Sequence, residues 1–488
     1  MRVLFLVSGV YPHYMGGVST WADQLVTGLS EHEFHVVSVV SNPHVELRYP
    51  LPPNVKELIT VPLWGSERPE EYQSSHPLST FLKGLRTGTR DLERGFLPHF
   101  ETFFRHVRSA APRPEALGDA LYGMHRFLLD HDFHDTLRSR SLWEEYKALL
   151  REDVLLSTLD LYQAINVLRS LGRYLRVLTV RPPKTDLAHS AIASVAGIIG
   201  LMARFEHGTP NLLTEHGIYI RERLLDLINQ PLDFPAKIFW ENFHASLAKL
   251  NYHYAERIFP VCSFNSRWES QFGVPLDKVR VVYNGVDGGR FRPMEVPRPR
   301  DPTVVAVIRL DRLKDALNLI QAMATVREAR PEARCLVYGP APDADYARLC
   351  VEERRRLGLE ESVEFMGFTR EPERAYNEGD VVVMSSVSEG FPFALIEGMA
   401  SGKAIVATDV GGMAEALGDA GLLVPARQPR RLGQAILRLL DDPALRAELG
   451  RRARERALRD YSVTGFLDEY RRIYAGFGGE GWRRRPAA

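Results

Sequence analysis

Short apolar runs alternate with amphipathic stretches over most of the chain. The first run, RVLFLV at 2–7, is rich in β-branched and aromatic residues and ends abruptly at Ser8 and Gly9. It is too short for a secretory apolar core and predicts a buried first strand. Behind it Val18, Trp21, Leu25 and Leu29 recur at helical spacing, with Ser19 and Thr20 set to satisfy free amides at the helix start. The order is strand, loop with Gly16-Gly17, helix. FHVVSVV at 34–40 predicts a second strand.

The rhythm then changes. From about 62 to 181 the pattern is helical, in segments such as SLWEEYKALLRED and LDLYQAINVLRSLGRYLRVL, which predicts an inserted helical region. Short apolar strands resume at 185–190, 211–216, 257–262 and 278–285, with a long helix at 234–256 between the second and third. MEVPRPRDP at 294–302 is Pro-rich and charged and predicts a linker. A second, more regular series follows, with strands at 303–308, 333–339, 363–368, 380–386, 404–409 and 421–425, then helices at 443–460 and 463–477. Strands separated by helices predict parallel sheets covered on both faces. The expected domains are 1–293, 294–460, and a C-terminal helix and tail, 461–488, that packs back on the first.

The 488 residues exceed what one hydrophobic core usually serves, in keeping with two domains. Lys plus Arg and Asp plus Glu both total 62, and this balance argues against a nucleic-acid partner. Cys262, Cys335 and Cys350 are scattered and odd in number, which gives neither a disulfide framework nor a metal cluster and fits a reducing cytosol. SAIASVAGIIGLMA at 190–203 is the longest uncharged apolar stretch. It falls short of the roughly 20 residues that span a bilayer and predicts a core helix.

Candidate chemistry concentrates in the second half. In SEGFPFALIEGMASG, Glu389 stands just before a predicted helix whose first turn carries Pro392, and Glu397 lies in its second turn on the face of Phe393. One carboxylate at the loop mouth and one along a wall fit the hydroxyls of an extended ligand, with helix-start amides between them for phosphate. A capping Glu389 and a solvated Glu397 are the plainer alternative. Arg309 and Lys314, at the end of a strand and the start of a helix, suit a diphosphate, although alone they read better as surface charges. Gly411-Gly412 and Glu415 again follow a strand. Gly16-Gly17 lets backbone amides approach phosphate, or is an ordinary turn.

Together these elements resemble the retaining glycosyltransferases of family 4. Two glutamates separated by seven residues match Glu389 and Glu397, and an Arg and Lys five apart match Arg309 and Lys314. The resemblance covers nearly all the chain except the helical insertion. More narrowly, GVYPHYMGGVSTW and TEHGIYIRERLLDL resemble the PelF-type glycosyltransferases of Pel exopolysaccharide synthesis. Two departures stand out: Ile308 precedes the Arg and Asp315 follows the Lys where many family members have Gly.

The resemblance implies the GT-B fold, two Rossmann-like doubly wound domains facing a central cleft. It implies sugar transfer from a nucleoside-diphosphate sugar, UDP-glucose or a related UDP-hexose, to a saccharide or other hydroxyl acceptor, with retention. Arg309 and Lys314 would stabilise the leaving diphosphate and Glu397 would hold the ribose. Glu389 and the free amides of the loop formed by Gly390, Phe391, Pro392 and Phe393 would hold the sugar, Pro392 itself having none to offer. His216 would orient the sugar, with His189 a weaker candidate. Gly16 and Gly17 would leave room for phosphates and acceptor. No metal or other cofactor is expected. A cytoplasmic place is implied, peripheral at the inner membrane face beside polysaccharide synthase subunits. A non-catalytic scaffold of such a synthase and a sugar-nucleotide epimerase are the other readings.

Overall fold

The computed structural model describes residues 1–65, 77–228, 230–297 and 299–477. Part of the predicted insertion, 66–76, and the basic tail lie outside these residues. Among the described residues the chain forms two compact units, one drawn from 1–260, 268–280 and 470–477, the other from 261–267 and 281–469.

In the first unit a parallel sheet is built from β1 (Arg2–Ser8), β2 (Glu33–Val40), β3 (Val55–Pro62), β4 (Leu187–Ser190), β5 (Asn211–Glu215) and β6 (Ala255–Pro260), in the order β3-β2-β1-β4-β5-β6. β3 is absent from the sequence reading. As an edge strand with Lys56 and Glu57 exposed, it lacks the unbroken apolar run of its buried neighbours. The strand expected at 278–285 does not form either: Val279 makes one isolated bridge to Ile258, and the following residues are irregular.

The insertion is helical, with helices including Leu97–Val107, Pro114–Asp130, Arg140–Arg151 and Leu161–Leu175. It is not a separate body. Phe100, Phe104, Leu121 and Tyr146 belong to one apolar core with Leu4, Leu6 and Val37 of the sheet. Phe104 stacks on Phe239 of the helix Phe234–Tyr254, with ring centroids 5.6 Å apart. The core helix predicted at 190–203 begins later, at Gly197, and runs to His207. A Cβ at Gly197 would collide with the Asn251 side chain, whose amide donates to Ser194 O at 3.1 Å, so the residues before it remain a turn.

The second unit repeats the plan. Its parallel sheet comprises β7 (Thr303–Val307), β8 (Arg334–Tyr338), β9 (Val363–Gly367), β10 (Val381–Met384), β11 (Ala404–Thr408) and β12 (Leu422–Val424), in the order β12-β11-β10-β7-β8-β9. The boundary at 293/294 needs correction. Residues 281–293 pack with this unit, because Asn284 Nδ2 donates to Phe391 O at 2.7 Å and Val286 N to Tyr461 O at 2.7 Å. The last helix, Val463–Ala475, changes unit at Tyr470. Among the described residues no helix is long and apolar enough to cross a membrane.

Candidate functional site

In each sheet the chain leaves the central pair of strands in opposite directions, so the loops beyond their carboxyl ends leave a crevice. Ligands of doubly wound folds bind there. In the second unit the central pair is β7 and β10.

Beyond β7, Arg309 Nε donates to Asp311 Oδ2 at 2.8 Å, and Asp311 Oδ1 accepts the amides of Leu313 and Lys314, each at 3.1 Å. Lys314 Nζ then reaches Glu389 Oε1 beyond β10 at 2.5 Å, and Ser386 Oγ donates to the same oxygen at 2.6 Å. The two loops are joined by backbone as well: Val387 N donates to Leu313 O at 2.8 Å and Ser385 Oγ to Lys314 O at 2.9 Å. Lys314 and Glu389 are 19% and 7% exposed, so their pair is largely screened from water, whereas Arg309 is half exposed. Glu389 is therefore not the plain helix cap considered above.

Asp315 sits at φ 48°, ψ 55°, in the left-handed region just before the helix Ala316–Ala329. Glycine adopts that conformation without strain, and Asp is among the residues that tolerate it best. The departure from the glycine expected there keeps the loop's geometry.

Pro392 caps the helix Phe393–Ala400 with extended backbone rather than standing in its first turn. Phe391 and Phe393 are buried. Glu397 accepts the Tyr376 hydroxyl at 2.9 Å, and burial pushes its carboxyl up to about 7, opposed by Tyr376 and Arg290 and aided by Glu373. Gly411 and Gly412 back the Glu389 loop. Gly411 has φ 57° and a Cβ on it would fall on the Glu389 carbonyl, while Gly412 N donates to Gly390 O at 2.8 Å. Glu415 is consumed structurally, accepting Ser263 Oγ at 2.6 Å and Tyr283 OH at 2.7 Å.

In the first unit Gly16 precedes the helix Gly17–Gly28, which has no side-chain cap. Ser19 and Thr20 do not satisfy its free amides: Thr20 Oγ1 donates back to Gly16 O at 3.1 Å and Ser19 Oγ is buried without a partner. A Cβ at Gly16 would meet nothing within 4 Å, so packing does not demand glycine there. Trp21 of this helix lies edge-on to His216, with ring centroids 4.5 Å apart, which brings the glycine loop's helix and the residue after β5 together. Burial lowers the His216 pKa to about 3, and its Nε2 is buried without a partner. His216 is a neutral hydrogen-bonding group with one nitrogen unspent. His189 is different: fully buried, it shares Nδ1 with Tyr474 OH at 2.7 Å and Nε2 with Thr214 Oγ1 at 2.8 Å. It is a satisfied core histidine and leaves the candidate set.

Asp311, Ser386 and Tyr376 were missed by sequence reasoning. Asp311 alone carried a visible signal, standing between the two cations in RLDRLK.

Residues 1–277, more than half of the chain, match the family described as a domain of unknown function, DUF3492. The chain belongs to this family. Residues 301–442 of this DUF3492 protein match glycosyl transferases group 1, in the half that carries Arg309, Lys314, Glu389 and Glu397. A D-inositol 3-phosphate glycosyltransferase of Acidothermus cellulolyticus is 35% identical over 226 residues, 41% of this chain. The chain spans about half of that curated relative, 49% of its length. Sucrose-phosphate synthase of Thermosynechococcus elongatus superposes with TM-score 0.61 at 18% identity, covering 97% of this chain and 99% of that one. Anabaena HepE in complex with UDP gives 0.59 at 15%, covering 98% and 100%. The fold of the DUF3492 chain is thus that of GT-B glycosyltransferases, two Rossmann-like domains.

Proposed function

We propose that the protein is a retaining hexosyltransferase of family 4. In this reading it moves a sugar from UDP-glucose or a related UDP-hexose to a saccharide or other hydroxyl acceptor, in exopolysaccharide synthesis of the Pel type. The observation that carries the reading is the Lys314–Glu389 pair at 2.5 Å, held by Ser386 at the ends of the central strands with Arg309 beside it. The group 1 match over those residues supports it, as do the glycosyltransferase named among the relatives and the UDP bound by HepE.

In this mechanism Arg309 and Lys314 meet the diphosphate oxygens, where negative charge grows as the bond from the anomeric carbon to the leaving phosphate breaks. Glu389 and the backbone of Gly390 to Phe393 hold the sugar, and Glu397 holds the ribose. His216, kept neutral by burial, orients the sugar. Gly16 and Gly17 keep their loop bare for phosphates and acceptor. The acceptor hydroxyl attacks from the face that the diphosphate leaves, and the leaving phosphate oxygen takes its proton. Two protein cations already neutralise the diphosphate, so the mechanism calls on no metal. The reaction belongs in the cytoplasm, at the inner face of a membrane beside synthase subunits.

The test is incubation of the purified chain with UDP-, GDP-, ADP- and TDP-sugars, with and without saccharide acceptors, and NMR of the products. UDP release with a new linkage of the donor's own anomeric configuration is expected. An isomerised donor formed without acceptor would make it an epimerase, and no turnover of any donor would make it a scaffold.

Two further outcomes follow from the titrations. Because Glu397 titrates near 7 and the ribose hydroxyls donate to its carboxylate, UDP affinity should rise with pH up to about 7, with proton release on binding. Glu397→Gln should abolish that proton release, as read by calorimetry in buffers of different ionisation enthalpy. The same group lowers stability as pH rises. Its folded pKa exceeds the unfolded one, so the native state binds the extra proton between about 4.5 and 7, and Tm should fall across that window less in Glu397→Gln than in the parent. His216→Ala should lower transfer by about 10²-fold, the scale for one lost positioned donor, with UDP binding retained.

A further inference from the structure

The helical insertion contains an open cavity of about 530 Å³ that the proposed reaction does not use. It is lined by His99 of the helix Leu97–Val107 and by Asp119, Tyr122, Gly123 and Arg126 of the helix Pro114–Asp130. Asp119, Tyr122, Gly123 and Arg126 recur at i, i+3, i+4 and i+7 and so share one helix face. Gly123 makes the site: a Cβ there would collide with the His99 imidazole, so the bare backbone seats that ring across the helix crossing. Phe205 backs the Tyr122 ring with centroids 5.0 Å apart, which fixes its orientation.

The chemistry of the lining is selective. Asp119 and Arg126 are exposed and His99 and Tyr122 half-buried, and none of the four side chains makes a hydrogen bond or ion pair with the described residues. A carboxylate acceptor and a guanidinium donor stand about 10 Å apart along the helix by its rise of about 1.5 Å per residue, with two rings between them. The carboxylate disfavours an anionic ligand and the guanidinium a cationic one. Paired planar acceptor and donor groups flanking rings suit a neutral ligand that offers both hydroxyls and apolar C–H faces. The volume lies in the range of small-ligand sites.

We infer that this groove binds a neutral oligosaccharide. The binding stands on the groove and does not depend on the glycosyltransferase reading.

The experiment is calorimetry of the full chain, without nucleotide, against cellotetraose, maltotetraose and tetra-N-acetylchitotetraose, repeated with Asp119→Ala and Arg126→Ala. Both substitutions are at exposed positions with no hydrogen-bond or ion-pair partner among the described residues, where folding costs are small. At least one of the oligosaccharides should bind, and each variant should weaken it by about tenfold or more, the loss of one charge-assisted hydrogen bond. UDP binding and donor turnover in water should stay at the parent level in both variants. Failure of all three sugars to bind at millimolar concentration would overturn the inference, as would binding that the variants leave unchanged. UDP binding without sugar binding removes the groove and leaves the proposed function standing. Variant-sensitive sugar binding by a chain that turns over no donor does the reverse.

Discussion

Lys314→Ala should lower sugar transfer by about 10²- to 10³-fold, the scale of losing one group that stabilises charge developing in the transition state. The lost interaction strengthens as the diphosphate leaves, so the fall should be in kcat, with a much smaller change in the affinity for UDP. Removing the lysine also deprives the Glu389 carboxylate, 7% exposed, of its cation, although Ser386 still donates to it at 2.6 Å. A lower Tm in the unliganded variant is therefore expected, with melting still cooperative. Lys314→Arg keeps the charge but not the compact ammonium, so it should recover much of the Tm and little of the turnover. Near-normal kcat in Lys314→Ala would remove the lysine from the chemistry and leave it a structural partner of Glu389.

Gly411→Ala should be nearly as severe, though residue 411 carries no chemistry. Its φ of 57° costs an alanine roughly 1–2 kcal/mol, and the added Cβ would land on the Glu389 carbonyl. The Glu389–Gly390 peptide must then move, and Glu389 and its Lys314 partner with it. A displacement of about 1 Å at a reacting centre is enough for about 10²-fold in rate. Gly358→Ala is the control, since φ is 65° there too but a Cβ would lie no nearer than 3.6 Å to the Arg327 side chain. Both variants should lose Tm, and only Gly411→Ala should lose turnover. Equal turnover in the two would mean that the Glu389 loop does not need its glycine support.

The parallel strands buried on both faces were legible because they read as unbroken apolar runs, RVLFLV and DVVVMSS among them. β3 was not, since its edge position leaves Lys56 and Glu57 in water and breaks the run. The opposite error occurred at 278–285, where Val282 is buried but the pairing with β6 stops at the single bridge from Val279 to Ile258. Within the candidate site, spacing marked Arg309, Lys314, Glu389 and Glu397 only together with the family resemblance, each pair lying on one loop-to-helix junction. The groups that hold them were not. Tyr376 reaches Glu397 from 21 residues away, and Lys314 reaches Glu389 from 75, distances that only the fold closes. His189 illustrates the converse, for nothing in TDLAHS signals that Tyr474 will occupy its Nδ1.

That last bond spans 285 residues, and Thr214 is likewise bonded to Tyr470 across 256. A ribosome delivers the partners of these two buried groups only after the whole 281–469 stretch has emerged. Domains generally fold as they appear. Here the unit made second has all its strands in hand before the unit begun first can close its polar core. Until then His189 and Thr214 lack those partners, so a chain stalled or cut before Tyr470 leaves the earlier-made unit as the incomplete one.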